Sequence, residues 1–82
     1  MPRRVSCIPG SDDAFCEAAT AALREIEGAL ASDVASLLAT VLRQRYPAVE
    51  VHRQDTLARV FNEDVWYAYR DGKPSVGLAE AG

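Results

Sequence analysis

The side chains that could do chemistry are few: one imidazole, His52, and two thiols, Cys7 and Cys16. A nucleophile–base pair would couple His52 to a cysteine or a serine, with an acid such as Asp55 to orient the ring. None of these nucleophiles has a recognisable local setting. There is no G-x-S-x-G elbow and no GxxxxGK phosphate loop. The adjacent carboxylates at Asp12 and Asp13, and at Glu63 and Asp64, stand where a helix start and a turn need them anyway. His52 lies on the polar side of its segment, the ordinary place for a solvated surface histidine. The residues give catalysis no positive support, and no catalytic residue or cofactor is assigned.

Two cysteines and one histidine cannot complete a four-ligand zinc site within one chain, so no metal is assigned. A disulfide scaffold of this size would want more cysteines. Cys7 and Cys16 are therefore expected to be small, partly buried thiols. A redox pair, or ligands shared across a dimer, are the alternatives.

The densest chemistry lies in "DVWYAYRDG", residues 64–72, where Trp66, Tyr67 and Tyr69 are followed by Arg70. In an extended strand Val65, Tyr67 and Tyr69 share one face, and Trp66, Ala68 and Arg70 share the other. The expected register puts Trp66 inside and the two tyrosines outside; the reverse register leaves Trp66 and Arg70 outside. Either way amphipathic side chains of the kind that anchor interfaces stand away from the core. Cross-strand pairing of those aromatics is the plainer explanation, at up to about 1 kcal/mol each. A base-stacking platform would want basic residues interleaved on the same face. Arg53, Arg59 and Arg70 are diluted by Glu50, Glu63 and Asp64, and the net charge of −3 further disfavours nucleic acid.

The elements that must position these residues follow from pattern. Eighty-two residues make one domain with a thin stability margin, which self-association would relieve. Residues 1–10 read as an arm or a short strand, 11–46 as helical, 48–78 as a β-meander and 79–82 as a frayed tail. Ser11 is the expected cap of the first helix, with Asp12 and Asp13 in its first turn. At about 100° per residue, Phe15, Ala19, Ala22, Leu23, Ile26, Leu30, Val34, Leu37 and Val41 form one apolar stripe. Asp33 falls within that stripe. A break near Ala31, eased by Gly28 and capped by Ser32, would leave Asp33 exposed in a second helix; one long helix is the alternative. Leu38 and Leu42 lie beyond the stripe and suggest a second contact, with the first helix or with another copy of the chain.

After Pro47 the period becomes two. Val49 and Val51 alternate with Glu50 and His52, and "TLARVF" at 56–61 is a weaker strand. Asp71-Gly72 is a two-residue hairpin turn, and "KPSVGL" returns as an edge strand blunted by Lys73 and Pro74.

The expectation is thus an α+β fold, with one or two N-terminal helices on a small antiparallel meander of three to four strands. The expected role is a small interaction or regulatory module that dimerises or binds another protein. Its surfaces would be Trp66, Tyr67, Tyr69 and Arg70 on the sheet and Leu38 and Leu42 on the helix. A ligand-sensing module with a Trp/Tyr/Arg site for a small molecule is the first alternative, and a thiol-based redox protein or enzyme is the second. No membrane is expected as a partner: no apolar run approaches the roughly eighteen residues of a spanning helix. "MPRR" is followed by Pro9, Gly10, Asp12 and Asp13 where a signal peptide needs apolar residues, so the cytoplasm is the expected location.

Overall fold

The described elements are, in order, β1 (Val5–Cys7), α1 (Asp13–Glu25), α2 (Ala31–Arg43), β2 (Glu50–His52), β3 (Val65–Arg70) and β4 (Lys73–Leu78). They are seen in a computed structural model that describes residues 4–53 and 64–79. The expected strand at 56–61 lies outside the described residues, as does most of the expected tail. Among the described residues the arrangement is α+β, with two helices and a four-stranded sheet of order β1-β3-β4-β2.

The sheet is mixed, not an antiparallel meander. β3 and β4 form the expected hairpin, and its turn residues Asp71 and Gly72 have φ of 55° and 72°, the conformation that Asp-Gly favours. β1 instead pairs parallel to β3, with Val5 beside Val65 and Cys7 beside Tyr67. β2 pairs parallel to β4, with Val51 beside Val76. β4 is consequently a central strand, not an edge. Pro74 is tolerated because β2 spans only Ser75 to Gly77, so no strand on that side asks for its missing N–H.

The helical segment breaks between Glu25 and Ala31, so there are two helices. Asp12, not Ser11, caps α1, its side chain accepting from Phe15 N–H at 3.0 Å. Ser32 does not cap α2 either. That helix starts directly after Leu30, which makes no side-chain cap, and Asp33 stands exposed in the first turn.

The break also resets the helical phase. α2 buries Val34, Ala35, Leu38, Ala39 and Leu42, while Leu37, on the expected stripe, is 39% exposed. Measured from Val34, that buried set spans roughly 140°, an ordinary face for a helix on a sheet. The widened seam therefore belonged to a single phase carried across a break. Leu38 and Leu42 are 0% and 2% exposed, inside the chain's own core.

Both helices cover one side of the sheet, where Phe15, Ala19, Leu23, Val34, Leu38 and Leu42 meet Val65, Tyr67, Val76 and Leu78. Phe15 is the hub of three mutually edge-on rings. Its centroid is 5.0 Å from Tyr46 and 5.4 Å from Tyr69, and those two are 5.8 Å apart. The cysteines are not thiols: Cys7 on β1 is disulfide-bonded to Cys16 on α1. The geometry follows from the parallel pairing, which turns Cys7 with Tyr67 toward the helix layer, where Cys16 sits in the opening turns of α1.

Candidate functional site on the outer sheet face

Which face of β3 turns inward is decided by what can cover it. Val65 and Tyr67 are buried, and Tyr69 packs against the core from its edge. The register is thus the reverse of the expected one. Tyr67 and Tyr69 are core residues and do not form an outer aromatic surface, and Trp66, expected inside, stands outside with Arg70.

Gly77 explains this. It pairs with Trp66 across the hairpin, and a Cβ built at Gly77 would overlap the indole ring atoms. The indole therefore lies over the glycine backbone, an aromatic shielding a residue that has no side chain to pack. On the other side Gly77 pairs with His52 of β2, and the imidazole stacks on the same indole, centroids 6.3 Å apart and planes 21° from parallel. His52 Nε2 is 3.5 Å from Glu50 Oε2, an ion pair whenever the ring is protonated.

Pairing register places the rest of this face in rows. Ser6, Trp66, Gly77 and His52 form one row, and Ala68, Ser75 and Glu50 the next. Arg70 and Lys73 end the hairpin as a pair of exposed cations. The centre is built of small residues, with Ser75 Oγ 3.5 Å from the Ala68 carbonyl. No described helix crosses this face. It offers a flat aromatic step, a small-residue floor, a carboxylate at one corner and two cations at the far end.

A second feature lies on the helix side. Cys7, Asp13, Cys16, Glu17, Thr20 and Arg24 line a shallow groove of about 450 Å³. The Tyr67 hydroxyl is enclosed near Thr20 and Arg24 of this lining, without a hydrogen-bond partner of good geometry among the described residues. Thr20 stands beside it, but the Thr20 hydroxyl donates to the Cys16 carbonyl at 2.9 Å. Burial pushes Tyr67 up to about 12, with Thr20 and Arg24 pulling weakly the other way.

Of the expected surface residues, then, the structure places Trp66 and Arg70 on one outer face, buries Tyr67, Leu38 and Leu42, and packs the half-buried Tyr69 against the core from the inner side. Sequence reasoning missed His52 as the partner of Trp66. The signal available was the glycine at 77, a strand position where a missing side chain often marks a close approach. Among the described residues no group of His, Cys, Asp and Glu is placed to hold a metal ion, and no helix is long and apolar enough to cross a membrane. No protein-family model, no curated protein and no solved structure matches this chain.

Proposed function

We propose that the chain is a small interaction module that forms a two-fold dimer through the outer faces of two sheets. The observation that supports this reading most is the layout of that face. An aromatic row, Trp66 on His52, and a cationic row, Arg70 beside Lys73, lie on either side of a floor of small residues. Such a face complements itself. A two-fold axis through the floor near Ala68 and Ser75 sets the cations of one copy against the indole of the other, and symmetric dimers use one patch twice in this way. A guanidinium over Trp66 contributes about 0.5–2 kcal/mol, more as water is excluded. The small central residues permit the close approach of stacked sheets, about 10 Å apart.

Light scattering coupled to size exclusion tests this on wild type and on a Trp66→Ser, Arg70→Ser double variant. The expected result is a wild-type dimer that the double variant converts to a monomer with an unchanged circular dichroism spectrum. A wild type that stays monomeric at high concentration overturns it. The alternative is a planar or anionic small molecule held between the Trp66–His52 step and Arg70. It predicts a monomer whose Trp66 emission responds to the ligand.

The proposed location remains the cytoplasm, a reducing compartment. Disulfides there are transient, and are usually catalytic or redox-sensing.

A further inference from the structure

The Cys7–Cys16 bond has an asymmetry that a purely structural cross-link does not need. Cys7 is exposed on a three-residue edge strand, whereas Cys16 is buried, with 8% of its surface exposed. Both cysteines line the groove, and Cys7 is the more exposed of the two. Cys16 is the fourth residue of α1, so a thiolate released there lies near the positive end of the helix dipole, while the Phe15 and Cys16 N–H groups are already taken by Asp12. The carboxylates of Asp13 and Glu17 on the same groove work against that charge, and Arg24 works with it. Tyr67, 1% exposed, lies beside Thr20 and Arg24 of the same groove.

We propose that Cys7–Cys16 is an exchange-active disulfide, opened by an external dithiol that attacks Cys7 and expels Cys16. In the first step the attacking thiolate sulfur bonds to Cys7 Sγ, the Cys7–Cys16 bond breaks, and its electron pair leaves on Cys16 as the thiolate. In the second, the other thiol of the reductant, deprotonated, attacks its own sulfur in the mixed disulfide and releases Cys7 as a thiolate. The reductant ends as a disulfide, two electrons having passed to the cysteines, and each cysteine thiolate takes up one of the two protons that the dithiol gave up. Asp13 and Glu17 on the rim select a reductant that presents its dithiol on a neutral or basic surface.

Opening the bond has a structural outcome. Among the described residues, β1 and its flanks are then held by the ladder to β3, the Ile8 N–H to Tyr67 carbonyl bond of 2.8 Å, the Val65 N–H to Arg4 carbonyl bond of 3.0 Å, the Asp12 N–H to Tyr69 carbonyl bond of 3.2 Å, and the contacts of Arg4 with Asp64. The edge of β3 that β1 covers becomes the edge most easily uncovered.

The test uses the intact wild-type chain in buffer without denaturant. It is incubated with dithiothreitol, quenched with iodoacetamide at intervals and weighed by mass spectrometry, with Trp66 emission followed in parallel. The expected result is two alkylated cysteines while the emission stays native. In glutathione disulfide, Cys16→Ser takes up glutathione at Cys7, and Cys7→Ser reacts at Cys16 about ten-fold slower or less. A wild-type bond that opens only in denaturant, as the emission reports unfolding, overturns the proposal whatever the variants do. Equal reaction of the two single variants, both still folded, overturns the order of attack.

Discussion

On its inner face β3 presents Val65, Tyr67 and Tyr69 to Phe15, Tyr46 and the apolar sides of two helices. On its outer face the same six residues present Trp66, Ala68 and Arg70 to a glycine, a serine and a lysine. The largest apolar side chain of the strand is therefore on the side that no described helix covers. Size alone did not choose the buried face; the opposite partner did. Tyr67 and Tyr69 find rings and aliphatic side chains opposite them, while Trp66 finds the one neighbour that has no side chain. A flat ring over bare backbone is as specific a fit as a ring in a core, and it is visible only when both strands are in register.

Substitutions can set the two faces against each other, beginning with the inner one. Phe15→Ala removes the hub of the three-ring cluster, and a loss of about 3–5 kcal/mol is expected, enough to unfold much of so small a domain. Urea denaturation followed by circular dichroism measures it. If Phe15→Ala costs less than an outer-face change, the division into a core face and a binding face is wrong.

Gly77→Ala comes next. The new methyl group must push the indole off its seat, at a cost of about 1–3 kcal/mol, and Trp66 emission shifts to the red as the ring enters water. Combining Gly77→Ala with Trp66→Ser removes the clash, so the double variant is more stable than the two separate losses predict. Additive losses would mean that the indole is not held by the glycine.

Tyr67→Phe has the smallest effect. It deletes a hydroxyl that has no hydrogen-bond partner of good geometry among the described residues, so stability at neutral pH changes by no more than about 1 kcal/mol, toward greater stability. Its signature lies in alkali. The folded-state value of Tyr67 is raised from 10.0 to about 12, so the stability its neutral form contributes is complete below pH 10 and is lost as pH rises through 12. Thermal melts across that range fall for wild type, and the Phe variant lacks this component of the fall.

Much of the fold was legible because it is local. The Asp-Gly turn is written in two adjacent residues, the break before α2 in one misplaced acid, Asp33, and the helices in spacing and charge. Strand pairing is not local. Val5 meets Val65 across sixty positions, and nothing in three residues of alternation says whether the neighbour runs parallel. The same limit hid the disulfide, since spacing alone does not place two cysteines face to face. It also inverted the aromatic strand, because alternation defines two faces and leaves open which is inside. The helix seam failed for a different reason. A periodic stripe is a property of one rigid helix, and extending it through residues 26–30 rotated Leu38 and Leu42 out of a face that they in fact centre.

The glycine beneath Trp66 carries a consequence for how this chain can vary by descent. A lineage that gains a side chain at 77 has to give up the indole, and one that loses the indole leaves bare backbone with no reason to remain glycine. The two positions are expected to vary as a unit, eleven residues apart in the chain and adjacent on the sheet. Among relatives that keep this sheet, tryptophan at the one place and glycine at the other will be found together or missing together.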